Sequence, residues 1–353
     1  FSGIVFSPDG SLLATTTEST QSINVWPVES DESPRRYQLP NCTIHFLAFS
    51  PDGHQLLSSA LESQHSVSDT HTDSARIDVW DPHEESNAEK TIFTGDSTVG
   101  DIGYTGASTA AAVSRGSVGA YDLTTGRLDG SLPLPPGTAD KLAITTAGHV
   151  LVYGCPARSA EVSVYDATDQ KFLFQASDVM PIIRDSAVSR DGKWFAVCGS
   201  AFGGGGRLRV WALGEGREIH SDAEVADLSG VRIFSDRRGV VTVDFDGFVT
   251  IWLVEYGRLV PADRFLVDGS VARLALSNDD RRVATASTRS LSVWNVDSGK
   301  RVRVFIELPK LYTIRKYVRY GSVAVLPLGA LMFAWSLRRC IRLPARATQT
   351  YQG

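Results

Sequence analysis

The hydrophobic positions of this chain fall into short runs separated by polar turns. A typical unit contains an apolar strand, a polar turn, a second apolar strand, another turn and a third strand that ends in an aromatic residue. Within a run, apolar and polar residues alternate, which is the two-residue period of a β-strand. Seven such third strands can be recognised, at residues 23–26, 77–80, 118–121, 162–165, 208–211, 249–252 and 291–294.

These units repeat with a nearly constant length. The aromatic residues that close them are Trp26, Trp80, Tyr121, Tyr165, Trp211, Trp252 and Trp294. Their successive spacings are 54, 41, 44, 46, 41 and 42 residues. A period in the low forties with several strands per unit is typical of a β-propeller. One blade cannot bury both faces of its sheet, so we expect the blades to stack around a ring with the aromatic residues packed between them. The sequence therefore predicts an all-β, seven-bladed propeller of four-stranded blades over residues 1–308.

Turn residues stand where tight hairpins need them. Ser-Pro-Asp-Gly begins at Ser7 and again at Ser50, and Ser-Arg-Asp-Gly begins at Ser189. Glycine accepts a positive φ, and aspartate caps the turn through its side chain. These positions predict hairpins between the first and second strands of units one, two and five.

The run from Phe6 to Trp26, FSPDGSLLATTTESTQSINVW, resembles the WD-repeat consensus, as does FSPDG followed by IDVWD in the second unit. Trp80-Asp81 is the literal dipeptide, other units end in close variants, and Asp246 lies six residues before Trp252, where that family places its turn aspartate. No unit begins with the family's Gly-His dipeptide, so the Asp-His-Ser-Trp hydrogen-bond network of that family cannot be complete here. The resemblance covers residues 1 to about 308 and implies a propeller of divergent WD repeats.

Charge is distributed unevenly along the chain. The net charge is −5, but eight of the 35 basic residues and none of the 40 acidic residues lie after Glu307. Residues 1–308 therefore carry 27 basic and 40 acidic residues, a net charge of −13. Binding to phosphate backbones needs a basic face, so nucleic acid is not an expected partner. The wholly basic remainder suggests a separate role for the C-terminal part.

The C-terminal part contains an uncharged stretch of eighteen residues, Tyr320 to Leu337, with basic residues on both sides. This length is just enough for a transmembrane helix. We therefore predict a basic linker at 309–319, a membrane-spanning helix at 320–338 and a short basic tail at 339–353. The alternative is an eighth blade, with Leu326-Pro327-Leu328-Gly329 in place of the Ser-Pro-Asp-Gly turn. That unit lacks a closing aromatic residue, because Pro344 falls at the position.

No recognisable site of chemistry accompanies the repeats. The four cysteines, Cys42, Cys155, Cys198 and Cys340, are too widely spaced for a zinc site or a disulfide framework, and buried apolar positions are the simpler interpretation. Extra residues at 61–75 predict an exposed loop, in which a metal site at His65, Asp69, His71 and Asp73 is the less favoured alternative. The glycine run 203–206 lacks the Lys-Ser/Thr of a phosphate loop and predicts a hairpin tip. We expect neither catalytic residues nor a cofactor.

The predicted function is a non-enzymatic platform for protein partners on a rim of the propeller, tethered to a membrane. Two alternatives stay open. A propeller enzyme or small-ligand binder would use the central funnel and would need polar side chains converging near the axis. An accessory propeller would serve a longer polypeptide. A cytoplasmic location is the alternative to membrane association.

Overall fold

The computed structural model describes residues 3–307, apart from 18–20, 66–70, 86, 96–97, 115, 136–140, 155–160, 178, 201–204, 222–225, 236–238, 268, 270 and 288–289. The chain divides into two units, Phe1–Glu307 and Leu308–Gly353. The whole second unit lies outside the described residues, and with it the predicted linker, membrane helix or eighth blade, and tail. Across the described ranges, no helix has the length and apolarity needed to span a bilayer.

The described residues form seven four-stranded blades. Blade one has β1 (Gly3–Phe6), β2 (Leu12–Thr17), β3 (Ser22–Pro27) and β4 (Arg35–Gln38). Blade two has β5 (Cys42–Phe49), β6 (Leu56–His65), β7 (His71–Trp80) and β8 (Lys90–Phe93). Blade three has β9 (Ile102–Tyr104), β10 (Thr109–Ser114), β11 (Ser117–Asp122) and β12 (Arg127–Pro133). Blade four has β13 (Lys141–Ile144), β14 (Val150–Gly154), β15 (Val162–Asp166) and β16 (Lys171–Ala176).

The remaining blades follow the same plan. Blade five has β17 (Ile182–Val188), β18 (Trp194–Ser200), β19 (Gly206–Ala212) and β20 (Arg217–Ser221). Blade six has β21 (Leu228–Ile233), β22 (Gly239–Asp244), β23 (Phe248–Glu255) and β24 (Arg258–Leu266). Blade seven has β25 (Val271–Leu276), β26 (Arg282–Ser287), β27 (Ser290–Asn295) and β28 (Arg301–Glu307). Within each blade the strands pair antiparallel in chain order, and a short parallel pairing of β20 with β24 joins blades five and six. The predicted seven-bladed, all-β propeller is confirmed.

The core consists of seven apolar clusters, one between each pair of neighbouring blades. In blade one, Ile23 and Val25 pack against blade two, whereas Trp26 packs against blade seven. The alternation of a strand explains this division, because successive side chains point to opposite faces of the sheet. Each blade is therefore apolar on both faces and is stable only between two neighbours.

The ring closes by contact between blades seven and one. The ring centroids of Trp26 and Phe305 lie 5.3 Å apart. The Arg282 guanidinium donates to the carbonyl of Gly10 at 3.1 Å and forms an ion pair with Glu29 at 2.6 Å. The amide of Asn278 donates to the carbonyl of Pro8 at 3.1 Å. All four strands of the last blade come from consecutive segments, so the ring closes through side chains and not by exchange of a strand.

The turns between first and second strands share one hydrogen-bond pattern. The Ser7 hydroxyl donates to Asp9 Oδ1 at 2.6 Å and accepts the N–H of Leu12 at 2.9 Å. Gly10, at φ 73°, supplies the left-handed conformation of the turn. The same bonds recur at Ser50, Ser189 and Ser277. The fourth of these turns, at Ser277, has Asp280, at φ 58°, where the others have glycine. The Ser-x-Asp-Gly pattern in the sequence therefore does not include it. We call the end of the ring that carries these turns the bottom. The opposite end, at which the first strand of each blade begins, is the top.

One local prediction is wrong. Residues 61–75 were expected to form an exposed loop, but at the described ends of this segment β6 and β7 continue as a paired hairpin as far as His65 and His71. Strand pairing uses backbone groups, so a segment rich in Ser and Thr can extend a hairpin. In the glycine run 203–206, Gly205 lies between the paired strands β18 and β19, in agreement with the predicted hairpin, and Gly206 is the first residue of β19. A Cβ atom there would lie 1.7 Å from the carbonyl oxygen of Ala226, which explains the requirement for glycine.

Four of the closing tryptophans make a hydrogen bond inside their own blade. The indole N–H groups of Trp26, Trp80, Trp252 and Trp294 donate to a Thr or Ser hydroxyl on the second strand, at distances of 2.8 to 3.0 Å. The acceptors are Thr15, Ser58, Thr242 and Thr285. A buried indole N–H needs such a partner, so each bond fixes the tryptophan in its position between two blades.

The substitution Thr242→Val tests this contribution. Valine keeps the shape of threonine but leaves the Trp252 N–H unsatisfied, so we expect a loss of about 1–3 kcal/mol in the free energy of unfolding. Urea unfolding followed by tryptophan fluorescence measures it. Thr43→Val, the same exchange on an exposed position of β5, should change stability by less than about 0.5 kcal/mol. Equal effects of the two substitutions would contradict the proposed role of the bond.

Candidate functional site

A cavity of about 550 Å³ lies where the first strands of the blades surround the axis of the ring. Every one of the seven blades contributes to its wall. We call this cavity the central channel. Its charged side chains are Asp101, Lys141, Arg184, Asp185, Arg190, Arg232 and Arg273. Polar side chains therefore do converge near the axis, as a ligand site in the funnel would require.

Asp101 and Asp185 occupy equivalent places and join neighbouring blades. Asp101 accepts the N–H of Ile102 at 3.0 Å and that of Leu142, on the next blade, at 3.0 Å. Asp185 accepts the N–H of Ser186 at 2.9 Å and that of Val231, again on the next blade, at 3.1 Å. Each carboxylate thus satisfies a backbone donor at the unpaired inner edge of a sheet, which would otherwise lack a partner.

Asp185 is also the centre of an ion cluster that connects three blades. The Lys141 ammonium, from blade four, donates to Asp185 Oδ1 and to the carbonyl of Ser186. The Arg232 guanidinium, from blade six, donates to Asp185 Oδ2 at 2.6 Å. Burial alone would raise the pKa of Asp185, but the two cations and the hydrogen bonds from Lys141 and Val231 hold that pKa well below its usual range. The carboxylate is therefore charged at any physiological pH.

β-Bulges shape the wall of the channel. In blades two, five, six and seven, the pairing of the first with the second strand skips one residue near the top. The skipped residues in the first three of these blades, His45, Arg184 and Ser229, all line the channel. A bulge bends its strand and changes the direction of the extra side chain. The sequence offered no signal for these bulges, because the two-residue alternation alone does not mark where pairing will slip.

The seven predicted aromatic residues lie away from the channel, at the ends of the third strands. All are buried, with exposed fractions between 2% and 8%. Each belongs to the apolar cluster that its blade shares with the preceding blade. Trp211 stacks on Phe195 with ring centroids 5.8 Å apart, and Val197 takes the place that a Thr or Ser has opposite the other tryptophans. These residues therefore have positions suited to packing and not to chemistry.

Candidate metal ligands appear in a different place from the one weighed in the sequence. Asp69 lies outside the described residues, and the side chains of His65, His71 and Asp73 are not described either. In blade four, His149, Asp166 and Asp169 present ligand atoms within 4.8 Å of one another. Asp166 already bonds His149 Nδ1 at 2.7 Å, and Asp169 pairs with Lys171 at 2.8 Å. The hydrogen bond to Asp166 raises the pKa of His149. These contacts explain the cluster without an ion.

Two cysteines are described, and both are buried free thiols. Cys42 packs between blades one and two, and Cys198 packs between blades five and six. Burial raises the pKa of each thiol, so neither is activated as a nucleophile. Cys155 and Cys340 lie outside the described residues.

Comparison with known proteins supports the fold. No protein-family model and no curated protein matches this sequence. Among solved structures, a chain from the crystal structure of the mitotic checkpoint complex is similar, with a TM-score of 0.64 and 17% sequence identity. The likeness covers 83% of this chain and 86% of that chain. At this identity it shows the shared propeller fold and nothing about the partners or activity of the present chain.

The substitution Asp185→Ala tests the ion cluster. It leaves Lys141 and Arg232 without their carboxylate in a site where each side chain is only about one third exposed. We expect a loss of about 3 kcal/mol in unfolding free energy, the lower end of the range for one partner of a buried pair. Urea unfolding measures it. Asp169→Ala, which removes one partner of an exposed pair, should leave the unfolding midpoint unchanged. A similar response to both substitutions would argue against a cluster that connects the blades.

Proposed function

We propose that this chain is a divergent WD-repeat propeller that serves as a non-enzymatic platform for protein partners. The observation that carries the proposal is the presence of three exposed apolar side chains at the top end of two adjacent blades. Ile182 begins β17, Phe245 lies in the turn between β22 and β23, and Leu266 ends β24. Their exposed fractions are 43%, 39% and 57%. We call these three residues the blade five–six surface.

Exposed apolar residues at one end of a rigid scaffold are typical of interaction sites. The Arg184 guanidinium lies over the Phe245 ring, 5.1 Å from its centroid, and so connects the first strand of blade five with the turn of blade six. Aromatic and arginine side chains are the residues enriched at the energetic centres of protein interfaces. The structural neighbour belongs to a multiprotein complex, which is consistent with this type of role for the propeller fold.

The test is partner capture by the full chain. We expect Ile182→Ser with Phe245→Ser to weaken binding of its specific partners by about thirtyfold, as removal of an interface centre does. Tyr256→Ser is the matched control, because Tyr256 is a fully exposed aromatic residue at the bottom of the same blade six. Quantitative cross-linking and affinity capture from cells measure the loss. The proposal fails if the double substitution leaves the captured partners unchanged, or if the control loses them equally.

We further propose that residues 320–338 attach the platform to a membrane. The support comes from the sequence: eighteen uncharged residues between basic flanks. One Arg at the centre of a membrane helix costs about 2.5–3.5 kcal/mol of insertion energy. Leu328→Arg with Leu331→Arg should therefore release the full chain from membranes during alkaline carbonate extraction. Thr348→Arg, in the basic tail, should leave it attached.

Blades seven and one pack directly on each other, so the closed ring has no place for the eighth blade weighed in the sequence. A full chain that is soluble without substitution would contradict the anchor. A folded, soluble version that ends at Leu308, beside a full chain that stays with membranes, agrees with the anchor.

A further inference from the structure

The central channel carries positive charge in a ring that is acidic. Five cationic side chains and two carboxylates line it, a formal excess of three positive charges. Residues 1–308 as a whole have a net charge of −13, so the channel differs in sign from the remainder of the propeller. Walls of low dielectric constant strengthen the field of such a group and concentrate counter-ions of opposite charge.

The two carboxylates do not neutralise this excess. Each is bound to backbone N–H groups of two successive blades, and Asp185 in addition binds Lys141 and Arg232. Asp185 thus serves two cations, and the Lys141–Asp185–Arg232 cluster keeps a net charge of +1. The positive charges of Arg184 and Arg190 are not balanced by these two carboxylates.

Arg184 is the best placed to bind a ligand. It is exposed and lines the channel at the bulge near the top, next to Asp185 of the ion cluster. Within the described ranges, no carboxylate forms an ion pair with its guanidinium, and its contact with the face of Phe245 leaves its N–H donors available. Arg190 also lines the channel, but it lies in the turn at the opposite end of β17, about 20 Å from Arg184 along the strand.

We propose that the central channel binds a small polyanion, a molecule that carries two or more phosphate or carboxylate groups. A guanidinium group presents a planar fork of N–H donors that can form two parallel hydrogen bonds with a phosphate or a carboxylate. A cavity of about 550 Å³ has the size of a small-molecule site. An excess of three positive charges suits a ligand with two to four negative charges. This inference does not rest on the protein partners proposed for the blade five–six surface, although the two sites share Arg184.

An acidic peptide is the competing occupant. The small molecule is favoured because the cations line a cavity at the axis to which all seven blades contribute, and do not form a stripe along an outer surface. The two occupants differ in a measurable way. A small polyanion binds with full affinity as a free molecule. A peptide reaches full affinity only when it is long enough to extend beyond the channel.

The experiment is isothermal titration calorimetry of the full chain at low ionic strength. The probes are inorganic tripolyphosphate, citrate and a hexaglutamate peptide. We expect saturable binding of tripolyphosphate, citrate or both, with one site per chain; the stronger of these two identifies phosphate or carboxylate as the preferred group. Affinity should fall as salt is added, because the attraction is electrostatic.

Variants locate the site. Arg184→Gln should weaken binding of the preferred probe at least tenfold, and Arg190→Gln, at the other end of the channel, should weaken it less. Arg127→Gln, the same change on the exposed outer strand β12, should alter it less than twofold. Arg184→Lys keeps the charge but loses the fork of donors, and should give an intermediate affinity. Far-UV circular dichroism and the urea midpoint establish that each variant is folded.

Three results would overturn the proposal. The first is no binding of tripolyphosphate or citrate at millimolar concentration to the folded chain. The second is an equal loss in the Arg127→Gln variant, which would indicate unspecific attraction to basic side chains. The third is tighter binding of hexaglutamate than of either small anion with the same dependence on Arg184, which would assign the channel to an acidic peptide.

Discussion

The structure depends on one constraint: each blade is a sheet with two apolar faces. Neither face can remain in water, so every blade needs a neighbour on both sides, and only a closed ring gives one to each. The clusters between blades show how the sequence meets this need, with Ile23 and Val25 directed to one neighbour and Trp26 to the other. The contact of Trp26 with Phe305 closes the ring, because it covers the last two faces that would otherwise be exposed.

Closure of the ring has a consequence at its axis. The first strands face the axis with their unpaired edges, where backbone N–H groups need acceptors. Asp101 and Asp185 provide them, and each does so for its own blade and for the next. Carboxylates at these positions then require cations nearby, and Lys141 and Arg232 meet that requirement at Asp185. Part of the charge in the channel therefore stabilises the inner edges of the blades. Arg184 and Arg190 are not needed for that purpose.

Most of the fold can be predicted from the sequence, but little of the channel can. The period of the closing aromatics and the Ser-x-Asp-Gly turns predict the blades, because both depend on neighbours within one repeat. More than forty residues separate Lys141 from Asp185 and Asp185 from Arg232. In the sequence, each of the three resembles an ordinary charged residue near the end of a strand. Their contact depends on the ring as a whole. One signal was available: Arg184-Asp185 interrupts an otherwise apolar first strand, and charges at such a position indicate an inward-facing polar site.

Arg184 links the channel with the outer surface at the top of the ring. Its guanidinium lies over Phe245, a member of the blade five–six surface, and its residue is the bulge of the strand that lines the channel. An anion that draws this side chain into the channel removes a cation from the face of Phe245 and changes the surface offered to a partner. Linkage requires the effect to be reciprocal, so a partner that holds Arg184 against Phe245 weakens the binding of the anion by the same factor. If both proposals hold, the partner and the small ligand compete for the Arg184 side chain.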